Sequence, residues 1–166
     1  MADDMGPHLA APFPSGPYTV RPEWIDYNGH LNLAYYLVVL DWATDALWDA
    51  IGLGASLRER GFGTFAAESH IFYKSELVAG EWVTASSIVL GADSKRLHVA
   101  HELRRAADGS VSAQQEIMYL SVSLGTRRVT PFPPDVAEGL ASAVRAHLAL
   151  PRPDWVGRRI AMPSPA

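Results

Sequence analysis

Cysteine is absent from all 166 residues, which excludes disulfides, thiolate zinc sites and cysteine nucleophiles together and fits a reducing cytoplasm. Positive charge is also short: the formal net charge is −4, so the chain as a whole has no pull on nucleic acid or on an anionic membrane, and neither is expected as a partner. No apolar run reaches membrane-spanning length. Met1 to Pro17 carries Asp3, Asp4 and several prolines, without the basic start and apolar stretch of a secretory signal. A Gly-x-Ser-x-Gly elbow, a P-loop and a dinucleotide fingerprint are all missing, which argues against a serine hydrolase and a nicotinamide enzyme. His98 and His101 stand three apart in an extended stretch, hence on opposite faces, so no metal site is expected. What remains is 48% hydrophobic and 19% charged, enough apolar material for one folded domain over 1–166 and too much for a disordered chain. A cytoplasmic location is the expectation.

Punctuation along the chain sets its organisation. Residues 1–16 are rich in Pro, Gly and Ala and read as a loose tail, with a short strand from Tyr18 to Arg21 after it. Asp26-Tyr27-Asn28-Gly29-His30 is a turn. Leu31 to Ile51 then runs without Pro or Gly and predicts a helix, stopped by Gly52 and Gly54. Its first half is apolar or aromatic on every side, whereas Asp41, Asp45 and Asp49 mark a wet stripe on the second. A short helical piece follows at Ser56 to Arg60. From Thr64 the period becomes extended, and turn signals at Val78–Glu81, Gly91–Ser94 and Ala107–Gly109 cut out four strands, expected to pair in order as an antiparallel meander. Asp135 and Glu138 have capping-box spacing ahead of a short amphipathic helix. The tail 151–166 reads as irregular. The fold class is therefore α+β: a long central helix, apolar all round at its start, wrapped by a curved antiparallel sheet, with a second subunit expected on the flank left open.

The turn before the long helix concentrates the candidate chemistry. Asp26 is placed to act as a base or nucleophile, or else Asp26 or Asn28 simply caps the helix. Backbone N–H groups from Gly29 to Asn32 open the helix and can face a developing oxyanion. Gly29, lacking a side chain, lets a substrate come close to that backbone. Asn32 and His30 are further candidates as donors, Asn32 being equally suited to a structural hydrogen bond. Glu68 and His70 share parity on the first long strand and so face the same way, either lining a site across a subunit boundary or lying paired on the surface.

These residues carry a family resemblance. Val20-Arg21-Pro22-Glu23-Trp24-Ile25-Asp26-Tyr27-Asn28-Gly29-His30-Leu31-Asn32 resembles the Asp-x-x-Gly-His-x-Asn turn of hotdog-fold acyl-CoA thioesterases of the 4-hydroxybenzoyl-CoA thioesterase type, with Tyr35 or Tyr36 at their aromatic helix position. The likeness extends from about Tyr18 to Arg128. Trp24 to His30, Glu68-Ser69-His70-Ile71 and Asp93-Ser94-Lys95-Arg96-Leu97-His98 are more closely similar to the betainyl-CoA thioesterases associated with carnitine dehydrogenases. The resemblance implies a hotdog fold and hydrolysis of an acyl-CoA to free acid and coenzyme A. It also implies Asp26 as nucleophile or general base, a site at a subunit interface of a homodimer or homotetramer, and no cofactor, coenzyme A being part of the substrate. On that reading Lys95 and Arg96 form a patch for the phosphates of coenzyme A. Trp24 and Tyr27, flanking Asp26, are candidates to hold the trimethylammonium of betaine against aromatic faces. Two rival functions remain at this stage: a hotdog hydratase or dehydratase using His30 or His70 with Asp26 or Glu68, and an acyl-CoA sensor in which Asp26 is only a cap.

Overall fold

A computed structural model describes residues 9–162. Five strands, β1 (Phe13–Thr19), β2 (Phe62–Tyr73), β3 (Trp82–Ala92), β4 (Arg96–Arg105) and β5 (Val111–Ser123), form one antiparallel sheet in the order β1-β3-β4-β5-β2. Helix α1 (Leu33–Ile51) packs on one face of the sheet; α2 (Ala55–Glu59) and α3 (Pro134–His147) lie nearer its end. No helix among the described residues is long and apolar enough to cross a membrane.

Helix α1 begins where Asn32 caps it, the side-chain oxygen accepting from the N–H of Ala34 at 3.0 Å, and ends at Gly52, whose φ of 76° is the left-handed conformation glycine takes at no steric cost. Its inner face, with Val39, Leu40, Ala43 and Leu47, is buried against the sheet. The apolar start is not covered on all sides, however. Leu33, Leu37, Asp41, Asp45 and Asp49 form one continuous exposed stripe at four-residue spacing. The acidic stripe foreseen for the second half thus continues into the first as leucine, because a single sheet covers only one side of a helix.

Two other expectations are corrected. β1 starts at Phe13, inside the stretch read as a loose tail. It is an edge strand paired with β3, and an edge tolerates Pro14 and Pro17 because one side of its ladder needs no N–H donors. The strands also do not form a four-stranded meander: β3, β4 and β5 do, but β2 crosses to the far edge and pairs with β5. Residues 74–81, read as containing a turn, make that crossing. Eight extended residues reach about 26 Å, ample for about three inter-strand steps, or about 14 Å. Leu77 in the middle of this segment is fully buried, and its carbonyl accepts from the N–H of Leu31 at 2.7 Å.

Side-chain alternation gives the sheet two different faces. Toward α1 it presents Leu97, Val99, His101 and Leu103 of β4, all buried. The Nε2 of His101 lies 3.1 Å from the Thr44 hydroxyl of α1 and its Nδ1 lies 2.8 Å from Ser87. Thr44 also reaches the Tyr119 hydroxyl at 3.1 Å, giving a polar bolt between helix and sheet. The outer face carries His98, paired with Glu116 at 2.7 Å, and is partly covered by residues 151–162. That segment is irregular and anchored at one point: Trp155 is buried and packs edge-on against Phe72, whereas Ile160 and Met162 are exposed. At the other end, α3 is not capped by Asp135, which instead holds Arg60 through two bonds of 2.7 and 2.8 Å.

Candidate active site

Five residues between Ile25 and Leu31, themselves joined as an isolated antiparallel bridge, build the turn. The Asp26 N–H donates to the His30 carbonyl and the Gly29 N–H to the Asp26 carbonyl, each at 3.0 Å. Asp26 Oδ1 accepts from the Asn28 N–H at 2.8 Å, an Asx turn that fixes the carboxylate without making it the helix cap. Gly29 has φ +83°, and a Cβ there would meet nothing within 4 Å. Glycine is therefore required by the backbone conformation, while the space beside it lies open, as the sequence reading anticipated.

The Asp26 side chain is 16% exposed and its Oδ1 sits 3.9 Å from Nδ1 of His30, which is 35% exposed. Among the described residues Oδ2 has no hydrogen-bond partner, so one oxygen positions the group and the other remains available. Both residues line a pocket of about 470 Å³ whose wall also includes Tyr27, Asn32, Tyr36, Tyr73, Lys74 and Glu76. Most of the backbone donors expected to be free are in use: Gly29 as above, Leu31 by Leu77, and Asn32 by the Trp24 carbonyl at 3.0 Å. His30 and Leu33 keep N–H groups without partners among the described residues, and Leu33 opens α1, where the helix dipole favours negative charge. With Oδ1 of Asn32 committed to the cap, its Nδ2 amide is left to donate.

The remaining candidates are distributed unevenly. Trp24 is buried and does not line this pocket: it stacks on Tyr35 at 5.2 Å, lies 5.5 Å from Trp42 and has the Arg21 guanidinium 5.0 Å from its ring centre. Its faces are taken, which corrects its expected role as a cage wall. Tyr27 is 97% exposed at the pocket rim. Glu68 and His70 do share a face, opposite Met118 and Glu116, but it is the outer face; His70 Nδ1 donates to the Arg158 carbonyl at 2.8 Å. Lys95 and Arg96 stand at the start of β4, seven residues or about 23 Å along the strand from Leu103, which is level with the pocket residue Tyr73, and Arg96 is already paired with Asp93. Within one chain neither pair meets Asp26.

Sequence reasoning missed Tyr73, Lys74 and Glu76. Of the two tyrosines matched to the aromatic helix position, Tyr36 lines the pocket, since it follows Asn32 by four residues and so shares its helix face. Tyr73, the last residue of β2, and Glu76, in the crossing of residues 74–81, reach the pocket because β2 lies at the far edge beside β5, and no local pattern announces that.

The family model of the thioesterase-like superfamily matches residues 20–140. The chain belongs to this superfamily. It is 43% identical over 145 residues to a betainyl-CoA thioesterase of Pseudomonas aeruginosa, covering 87% of this chain and 91% of that one. An L-carnitine dehydrogenase/betainyl-CoA thioesterase of Agrobacterium fabrum is 38% identical across 85% of this chain, which spans 29% of that longer protein. A hypothetical protein of Staphylococcus aureus, solved in complex with CoA, superposes with a TM-score of 0.81 at 29% identity, covering 89% of this chain and 94% of its own. The hotdog fold and the acyl-CoA thioesterase activity implied by the turn are thereby established for this thioesterase, and the rival readings as hydratase or sensor give way to a thioester hydrolase.

Proposed function

We propose that this thioesterase hydrolyses betainyl-CoA, or another short-chain acyl-CoA, to the free acid and coenzyme A, with Asp26 as nucleophile or general base and no cofactor. The carrying observation is the Asp26 carboxylate, held through Oδ1 by the Asn28 N–H while Oδ2 has no hydrogen-bond partner among the described residues, beside an open pocket. A thioester carbonyl over Gly29 would meet this oxygen on one side. As charge develops on the carbonyl oxygen, the His30 and Leu33 N–H groups, the Asn32 amide and the N-terminus of α1 supply donors and positive potential. The relative's name supports betaine as the acyl group.

The same reading makes the enzyme a homodimer or homotetramer. Leu33 and Leu37 are 63% and 37% exposed on the flank of α1 that the sheet leaves open, and a second copy is the cover we assign to it. Contacts from Glu68, His70, Lys95 or Arg96 to a substrate at Asp26 would then come from that second copy. Thiol release from a panel of acyl-CoAs by the wild type and Asp26→Asn tests the assignment. A loss of about 10²–10⁴-fold is expected for removal of a base or nucleophile; turnover that survives the exchange refutes the role of Asp26.

A further inference from the structure

We propose that the pocket beside Asp26 recognises a quaternary ammonium group on the acyl chain through the rings of Tyr73 and Tyr27, with Tyr36 behind Tyr73, and the carboxylate of Glu76. The inference rests on Asp26 being the reacting group.

Reach comes first. In a trimethylglycyl thioester the nitrogen is two bonds from the carbonyl carbon, about 2.5 Å with standard N–C and C–C lengths. Whatever recognises the cation must therefore belong to the pocket that holds the carbonyl, which excludes residues at the far end of the sheet. Within that pocket the aromatic lining is entirely phenolic. Tyr36 donates its hydroxyl to the Ser75 carbonyl at 3.1 Å and Tyr73 donates to the Leu33 carbonyl at 3.2 Å. Both hydroxyls are thus spent on backbone, locking ring orientation and leaving ring surface for the ligand. The two rings meet edge-on at 5.3 Å, so Tyr36, 4% exposed, backs Tyr73, 45% exposed. Tyr27 stands exposed at the rim.

Charge supplies the second line. Two carboxylates, Asp26 and Glu76, face one ammonium, Lys74, so the acidic side chains of the lining outnumber the lysine. The Glu76 main chain is pinned by the Arg105 guanidinium, which donates to its carbonyl at 2.7 Å. Its carboxylate has no partner among the described residues. A neutral acyl group would strip water from these carboxylates and return nothing, whereas a trimethylammonium group, unable to donate a hydrogen bond, is stabilised by aromatic faces within about 6 Å and by nearby negative charge.

The test compares kcat/KM for betainyl-CoA and for 3,3-dimethylbutyryl-CoA, which has the same shape with carbon in place of the charged nitrogen. The wild type is expected to prefer the cation by about tenfold or more, in keeping with cation–π attraction in a desolvated site. Tyr73→Leu and Glu76→Gln are each expected to lower the betainyl-CoA value about tenfold further than that of the neutral ester. Tyr73→Phe, which keeps the ring, should restore the preference. Equal turnover of both esters by the wild type, or variants that slow both alike, would overturn the recognition site while leaving the thioesterase reading intact. Calorimetric titration with betaine and with 3,3-dimethylbutanoate separates the two claims. Selective betaine binding that Tyr73→Leu abolishes supports the site even if Asp26 proves dispensable for turnover, and equal binding of the two acids refutes it.

Discussion

Acidification should loosen this protein through one buried imidazole. His101 is fully buried between α1 and the sheet, and burial holds its pKa down to about 4, against 6.5 for a free histidine. Thr44 has one hydroxyl proton, and the Leu40 carbonyl, 3.1 Å away, can only accept it. The Thr44 oxygen therefore accepts from His101 Nε2–H, and His101 Nδ1 accepts from Ser87. A second proton would turn that acceptor into a donor and place a charge in the core. Because the unfolded chain binds this proton more readily than the folded one, stability is complete above pH 6.5 and falls as pH drops toward 4. Integrating between those two values gives a loss of about 2 kcal/mol from pH 7.5 to pH 5, and about 3 kcal/mol in full. Most of it precedes the titration of ordinary carboxylates. Urea unfolding at pH 7.5, 6 and 5, at one protein concentration so that the proposed self-association enters equally, should show this slope in the wild type. His101→Gln removes the titrating group and should flatten it by about the same 2 kcal/mol. A variant as pH-dependent as the wild type would refute the reasoning.

Two further outcomes follow from the helix that carries the site. Asn32→Ala removes the cap on α1 and is expected to cost about 1 kcal/mol in urea unfolding, together with a fall in kcat from the missing Nδ2 donor; Asn32→Asp, which retains the cap, should recover the stability but not the rate. Leu37→Glu places charge on the exposed leucine stripe and is expected to convert the oligomer to monomer in sedimentation velocity, with loss of thiol release; an unchanged sedimentation coefficient would rule that flank out as the contact.

How far the sequence could be read depends on whether a feature is made by neighbours in the chain. The Asp26–His30 turn is stitched together by its own backbone, so its residue types announce it, and α1 is bounded by Asn32 and Gly52 within its own span. The alternation of β4 puts His98 and His101 on opposite faces, and the structure turns the His101 side toward α1. The far-edge position of β2 was not legible, because Val78-Ala79-Gly80-Glu81 has the composition of a hairpin turn while serving as part of a crossing. The site inherits this division. Asp26, His30 and Asn32, read from one turn, line one pocket, whereas Glu76 reaches it from the crossing and Tyr73 from the end of β2. Trp24 was misassigned because adjacency to Asp26 in the chain does not reveal that Tyr35, Trp42 and Arg21 occupy its ring.

The segment 74–81 serves at once as the crossing to β3 and, through Lys74, Ser75 and Glu76, as part of the wall of the pocket beside Asp26. Surface loops ordinarily change length with little penalty, and enzyme lineages often retune specificity by lengthening them. Here Leu77 is plugged into the core and its carbonyl holds Leu31 next to the reactive turn, so an insertion would pull on the active-site backbone itself. On the recognition proposed above, acyl preference in this scaffold would diversify through exchanges at positions 73, 74 and 76, with the span of the segment held constant.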